Sequence, residues 1–225
     1  MSLITSINNY YKLEGNVTDT LGSLNGTPNV ITFSTGNGKI GQGAGLNGST
    51  SNLSFTSAFG LTNTSDFTVL MWCKLGAEIS SGTYQLFEMN FPTSRYSVGE
   101  YQYNSGTRRL SFDWGAGTPA TYNVALGTSN WNFITFVKSG SNITIYFNAS
   151  SVGSGTIGSL GGSGANTAKV GNNGGGTSPY NGAIDEVGVW SRALSGSEIS
   201  QLYNGGAGLQ YPFTVTGGAF LMNFI

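Results

Sequence analysis

The sequence contains no histidine and a single cysteine, and only 8% of its 225 residues are charged, so several chemistries are excluded at once. Without histidine the commonest general base is missing, and with it the Ser-His-Asp and Cys-His arrangements and most transition-metal sites. Catalysis would have to rest on carboxylates or a hard cation. Cys73 forms no internal disulfide and lies in an apolar run, which predicts a buried, inert thiol. Nine Lys and Arg stand against ten Asp and Glu, a net charge of −1, so there is no positive field to draw in nucleic acid or an anionic membrane. No apolar run reaches the roughly 18 residues of a membrane span. The opening MSLITSINNYYKLEG lacks a basic stretch followed by an apolar one, so no secretory leader is expected. Proline is scarce, and the 36 glycines follow no three-residue period, which excludes collagen.

What is present is aromatic and β-branched. At 12% aromatic content the chain has too many core-forming side chains to be disordered. Short runs rich in Val, Ile, Phe, Tyr, Trp and Thr alternate with clusters of Gly, Ser, Asn and Thr, the pattern of an antiparallel all-β sandwich or barrel. The plainest strand is Phe67 to Leu75, FTVLMWCKL. It places Phe67, Val69, Met71, Cys73 and Leu75 on one face and Leu70 and Trp72 on the other, as in a central strand covered on both sides. Asn132 to Lys138 and Ile143 to Asn148 predict a hairpin with the four-residue loop Ser139–Asn142. Tyr96 to Tyr103 and Arg109 to Trp114 predict another around Asn104–Thr107, with Leu110, Phe112 and Trp114 in register on one face. Further strands are expected at Ser6–Glu14, Leu53–Phe55, Gln85–Met89, Thr167–Gly171 and Ala183–Trp190. Gly153–Gly164 and Asn172–Gly176 are expected to be surface loops. One helix is signalled by the capping box Ser195-Gly196-Ser197-Glu198 ahead of Ile199 and Leu202, with Asn204-Gly205-Gly206 as its stop. The domain is expected to span residues 1–211. Residues 212–225, FTVTGGAFLMNFI after Pro212, are mostly apolar and predict an anchoring or oligomerisation segment carried by Phe213, Phe220, Leu221 and Phe224.

The order of several of these runs carries a resemblance. Tyr10–Asn16 with Asp19, then Gly45–Gly48, FTVLMWCKL, Trp131–Phe136 and Ile145–Asn148, and finally the run from Asn181 through IDEVGVWSRALS to Ser195 resemble the laminin-G-like jelly roll of the concanavalin A-like superfamily. The match covers about residues 8–204. It implies a two-sheet antiparallel sandwich with one short C-terminal helix, agreeing with the strand pattern read independently. Members are mostly binding and adhesion modules, which implies a glycan or host-surface partner. The run Leu202–Phe213 is similar to the tail of such modules in phage proteins. That likeness implies a virion surface protein of fibre or decoration type, made in the host cytoplasm, homo-oligomeric, and joined to other virion proteins through its C-terminal segment. A carbohydrate-active enzyme or accessory module, and a purely structural virion subunit without ligand, are the alternatives.

Candidate sites follow from that expectation. The enzymes of the superfamily set two carboxylates roughly 5 to 9.5 Å apart across one bond. Asp185 and Glu186, adjacent on one strand, are expected to point to opposite faces, and no Glu-x-Asp-x-x-Glu run occurs, so a non-enzyme is expected. The resemblance implies a calcium ion near the first loop and the closing strand, with Glu14, Asn16, Asp19 and Asp185 as oxygen donors. The plainer roles for these residues are a turn made by Asp19 with its own backbone, and an Asp185 that pairs with Arg192 or caps a loop. For sugar stacking the candidates are Tyr101, Tyr103, Trp114, Tyr122 and Tyr180, near predicted loops or strand ends, whereas Trp72, Trp131 and Trp190 are expected in the core.

Overall fold

The alternation in FTVLMWCKL sets the layers of the molecule, because a strand that is apolar on both faces must lie between two covers. The computed structural model describes residues 2–91, 94–114, 118–157 and 166–214, and of residues 94–97, 104 and 114 the backbone alone. Among these residues the strands are β1 (Ile7–Tyr11), β2 (Thr27–Asn29), β3 (Thr32–Ser34), β4 (Gly43–Asn47), β5 (Asn52–Phe55), β6 (Phe67–Leu75), β7 (Gly82–Phe91), β8 (Ser94–Asn104), β9 (Thr107–Trp114), β10 (Ala120–Asn123), β11 (Asn132–Ser139), β12 (Asn142–Phe147), β13 (Ser150–Thr156), β14 (Thr167–Val170) and β15 (Asn181–Trp190). Helix α1 (Gly196–Tyr203) follows. They form an all-β sandwich of two antiparallel sheets with one short C-terminal helix. The first sheet runs β13-β12-β11-β6-β15-β4-β3, with β1 on the far half of β15, and the second runs β10-β9-β8-β7-β14-β5-β2.

Between the sheets lies the main core, to which β6 gives Phe67, Val69, Met71, Cys73 and Leu75, as its alternation predicts. Leu70 and Trp72 point outward into a second apolar layer with Tyr10, Phe133, Val137 and Trp190, covered by Leu194, Ile199, Leu202 and Phe213. Tyr203 stacks on Trp72 with ring centroids 5.7 Å apart, and Phe213 on Trp190 at 6.0 Å. The helix forms where its capping box predicts. Ser195 accepts from the Glu198 amide, Glu198 returns to the Ser195 amide, and Asn204 ends it in the left-handed region. Glu198 also takes both Arg192 Nη atoms, at 2.6 and 2.9 Å, and this guanidinium contact holds its carboxyl near pKa 2.

Three expectations are corrected. Ser139 pairs with Asn142 and Asn104 with Thr107, so both hairpins turn on two residues, not four, with Gly140 and the Ser105-Gly106 pair taking the positive φ that such turns need. The run from Gly153 begins in a strand rather than a loop. A Cβ on Gly153 or Gly155 would lie 2.5 Å from the Thr121 carbonyl or 2.1 Å from that of Thr118, so glycine here lets β13 approach β10 and close that side of the sandwich. Phe213, expected in an exposed anchor, is 9% exposed and packs on Tyr10, Trp190 and Tyr211, while Phe220, Leu221 and Phe224 lie outside the described residues.

Candidate functional site

The outer face of the first sheet is covered only in part. Along β6 the outward residues are Thr68, Leu70, Trp72 and Lys74, and the apolar cover stops at Trp72, where charge begins. Lys74 pairs across the sheet with Ala183 of β15, Ala183 with Gly45 of β4, and Gly45 with Thr32 of β3. On its other side, Asn132 of β11 pairs with Cys73, which brings Trp131 level with Lys74. The row Trp131, Lys74, Ala183, Gly45, Thr32 therefore crosses the sheet at right angles to the strands, with small side chains in its middle.

A hollow lies toward each end of this row. One, of about 530 Å³, is lined by Lys39, the stretch from Val124 to Leu126, the stretch from Ser129 to Asn132, and the Phe147-Asn148 turn. The other, of about 460 Å³, is lined by Thr32, Asn37, Asn47, Lys74 and Asn181 above a floor that includes Gly45, Gly182 and Ala183. In the first hollow Trp131 is half-buried. The Lys74 ammonium stands 5.2 Å from its ring centroid, and the Lys39 ammonium 4.5 Å from that of Trp72. Among the described residues no carboxylate pairs with either lysine, and no acceptor meets the Trp131 indole N–H, whereas the Trp190 indole N–H donates to the Leu3 carbonyl at 2.8 Å. Several groups lining these hollows are bonded inside the protein: Lys74 Nζ donates to the Gly36 carbonyl at 3.4 Å, Asn37 Nδ2 to the Thr32 carbonyl, and Asn132 Nδ2 to the Leu126 carbonyl, so the Trp131 indole N–H stands out as the one ring donor here with no acceptor among the described residues.

The rim that carries Trp131 is braced from inside. Tyr101 donates its hydroxyl to Glu78 Oε2 at 2.9 Å and accepts from the Leu126 amide at 3.1 Å, while Glu78 Oε1 accepts from the Gly127 amide at 2.6 Å. Arg108 completes the clamp 3.0 Å from Glu78. Tyr101, expected as an exposed platform, is fully buried and instead fixes the loop beside the hollow; burial raises its pKa, and hydrogen bonding to Glu78 adds to the rise. Tyr180 is likewise fully buried, against Cys73, whose thiol burial pushes up to about 12. Neither can stack on a sugar. Tyr103 is half-buried under Arg108, Tyr122 packs on Phe147, and the side chain of Trp114 lies outside the described residues. The aromatic residue best placed for a ligand is Trp131, which packs against the outer apolar layer, as expected of a core residue, but is only half-buried there. Its signals were the preceding Ser129-Asn130, which ends the apolar run, and a position level with the lone lysine of β6.

The four residues expected to hold calcium are not brought together. Asp19 accepts from the amides of Tyr10, Leu21, Ser23 and Leu24 and from the side chains of Asn9 and Ser23. Burial would raise its pKa, but these hydrogen bonds together outweigh that and lower it. Asp185 accepts from the Lys39 and Ile40 amides at 2.8 and 2.9 Å and from the Glu186 amide. Glu14 accepts from the Gln42 amide, and Asn16 closes its own turn on Thr18. The oxygens of Asp19 and Asp185 are taken up by N–H and O–H donors, which do not suit a calcium ligand, and among the described residues no group of three His, Cys, Asp or Glu is placed to hold a metal. Asp185 also does not pair with Arg192, which belongs to Glu198.

Asp185 and Glu186 do not take opposite faces. A bulge with Glu186 at φ 52° breaks the alternation, so Asp185, level with Trp72, and Glu186, bound by Tyr10 Oη and Gln210 Nε2, both lie on the outer side. Burial drives their pKa values up to about 8 and about 7. Both are essentially inaccessible, so they are structural acids beneath the outer layer. On the polar face of the second sheet, Glu88, Glu100 and Asp113 come from adjacent strands, with Ser97 opposite both Glu88 and Asp113 and Ser111 opposite Glu100. Glu88 is fully buried under the 172–177 loop, accepting from the Gly174 amide at 2.5 Å. Neither hollow on the outer face of the first sheet is lined by a carboxylate.

Comparisons with known proteins agree with this architecture. Domain 4 of AbnA, an extracellular GH43 arabinanase from Geobacillus stearothermophilus solved in complex with arabinotriose, aligns with a TM-score of 0.68 at 22% identity, over 87% of this chain and 97% of that one. The binding domain of botulinum neurotoxin DC, in complex with SialylT, aligns at 0.64 and 15% identity over 93% of this chain and 53% of that one. The binding domain of Paraclostridial Mosquitocidal Protein 1 aligns at 0.63 and 17% over 90% and 53%. The chain thus spans about half the length of these toxin domains, and at such identities the likeness is one of fold. No curated protein sequence matches the chain. Among the described residues no helix is long and apolar enough to cross a membrane. The family model described as concanavalin A-like lectin/glucanases superfamily, laminin G type, matches residues 47–200, more than half of the chain, and the protein belongs to that family.

Proposed function

We propose that this protein is a non-catalytic carbohydrate-binding module that holds a glycan in the Trp131 hollow on the outer face of the first sheet. The observation that carries the reading is the Trp131 indole, half-buried on a braced rim, with its N–H unmatched by any described acceptor and the side chains of Ser129, Asn130 and Lys39 around it. An aromatic body with a polar edge, set among amides and hydroxyls, suits a sugar, which offers an apolar ring face and a belt of hydroxyls. Hydrolysis of a glycosidic bond calls for two carboxylates flanking it, and this hollow supplies none. The relatives point the same way, since a similar fold was solved holding arabinotriose.

The biological setting we infer is a virion surface, where such a module would attach a particle to host glycans. Its support is the likeness of Leu202–Phe213 to phage proteins. Mass spectrometry of purified particles tests the setting, which fails if the protein is absent from them. The binding reading is tested with a panel of arabinan, chitin and hyaluronan fragments together with a broad glycan array, with product analysis in parallel. Saturable binding lost in Trp131→Ala, without cleavage products, is the expected result. Cleavage, or binding indifferent to Trp131→Ala, overturns it.

A further inference from the structure

The second hollow and the row that joins it to Trp131 have no part in holding a single sugar. Four strand steps separate the level of Trp131 from Thr32, about 19 Å at roughly 4.8 Å per step. Between them Ala183 and Gly45 are small, and the Asn37 amide lies over Gly45, where a Cβ would come within 2.3 Å of its Nδ2, so a ligand crossing the row passes over Asn37. Beside the row, two residues from Ala183 on β15, the Asn181 side chain is half-buried between Gly48 and Gly76. A Cβ on either glycine would lie 2.8 or 2.7 Å from Asn181 atoms, so glycine is what lets this amide lie there. Among the described residues the Asn181 amide group has no hydrogen-bond partner, nor has the exposed Thr32 hydroxyl, and both line the hollow. Lys74 links both ends, lining the second hollow while its ammonium stands over Trp131 and donates to the Gly36 carbonyl at 3.4 Å. Val30, 61% exposed, forms an apolar lip, and its carbonyl is tied down by Ser51 Oγ at 2.6 Å. The unpaired Asn181 amide and Thr32 hydroxyl, set beside the internally bonded Asn37 and Asn47 amides and an apolar lip, give the second hollow polar groups suited to a sugar without a ring to stack on.

We propose that the second hollow is a further saccharide subsite, and that the row from Trp131 to Thr32 binds the interior of an extended polysaccharide, several sugar units laid across the strands, rather than a terminal sugar. The inference rests on the carbohydrate-binding reading above and adds the length and course of the ligand. A chain running across the sheet meets Trp131, then Lys74, then the Asn181 and Thr32 groups, so each added unit gains contacts until the row is filled.

The test is calorimetry of the full chain with disaccharide-to-hexasaccharide series cut from arabinan, chitin and hyaluronan. Affinity is expected to rise with length to a plateau. Asn181→Ala and, separately, Thr32→Ala are expected to weaken the longest fragment by about threefold to tenfold, the range of one lost hydrogen bond, while leaving the disaccharide unchanged. Thr32 is exposed and its side chain makes no internal hydrogen bond, so its variant is expected to keep the fold even where Asn181→Ala does not. Affinity independent of length, or two variants that bind every length like the parent while Trp131→Ala still abolishes binding, overturns the second subsite and leaves the module reading standing. If no fragment binds, or if Trp131→Ala binds like the parent, the module reading itself falls and the subsite with it.

Discussion

The two halves of one sheet face have opposite chemistry. Where the helix and the segment through Phe213 lie on it, the face is apolar and its polar groups are matched inside the protein: Tyr10 with Glu186, Trp190 with the Leu3 carbonyl, Thr68 with the Arg192 carbonyl. Beyond Trp72 the sheet presents Lys74, Asn181, Thr32 and Trp131; Lys74 reaches the Gly36 carbonyl, while the Asn181 amide, the Thr32 hydroxyl and the Trp131 indole N–H have no partner among the described residues. A folded protein does not gain stability by leaving an indole and amides half-buried without partners, since a protein hydrogen bond would serve them as well as water. The contrast separates a half shaped by packing from a half shaped for contact.

Substitutions in the two halves should therefore fail in different ways. The largest effect on stability is expected at Trp72, where Trp72→Ala removes a buried ring under Tyr203 and costs about 3–5 kcal/mol, read as a lowered urea midpoint. Trp131→Ala, which removes a ring only half-buried against the outer layer, should lower that midpoint much less while removing glycan binding. If it destabilises as much as Trp72→Ala, the two halves are not distinct. Between these extremes, Tyr101→Phe removes a hydroxyl bonded to Glu78 and the Leu126 amide. It is expected to cost about 1.5–3 kcal/mol and to weaken binding without touching sugar, by loosening the rim loop. Unchanged affinity in that variant would separate the clamp from the site.

The covered half also carries a pH signature. Asp185 and Glu186 have folded pKa values of about 8 and about 7, above those of free carboxyls, so the folded state holds their protons more tightly than the unfolded chain does. Their contribution is complete below about pH 4 and is lost as pH rises through 7 and 8. Glu198, held near 2, acts in the opposite sense: its contribution is present above about pH 4.5 and fades as pH falls toward 2. Melting temperature should peak in mildly acidic solution and decline toward pH 9, with Glu186→Gln flattening the alkaline side. A curve that rises steadily from pH 5 to 9 would contradict these assignments. The smallest effect belongs to the helix cap, where Ser195→Ala should cost about 1 kcal/mol in thermal unfolding and leave binding untouched.

Much of the framework was legible because it obeys simple periods. The two-residue alternation of Phe67–Leu75 gave both faces of β6, and the Ser195–Glu198 box gave the helix start. The reading failed where an extra residue or a missing side chain changes the rule. The bulge at Glu186 turns neighbouring acids to one side, and Gly153 and Gly155 sit in a strand because two backbones meet there. The site was harder still. Tyr101 and Tyr180 flank predicted loops yet point inward, and nothing local distinguishes that from an outward ring. Trp131 opens an apolar strand and packs against the outer layer as that position predicts, but it is half-buried rather than enclosed. Its exposure depends on where the helix cover ends, and the one local trace of that boundary is the charge of Lys74.

The most direct test of the account is a paired measurement on Trp131→Ala: urea unfolding, and calorimetric titration with the oligosaccharide panel. The account predicts a stability loss well below that of Trp72→Ala, with binding abolished. A variant that unfolds like Trp72→Ala, or one that binds like the parent protein, would contradict it.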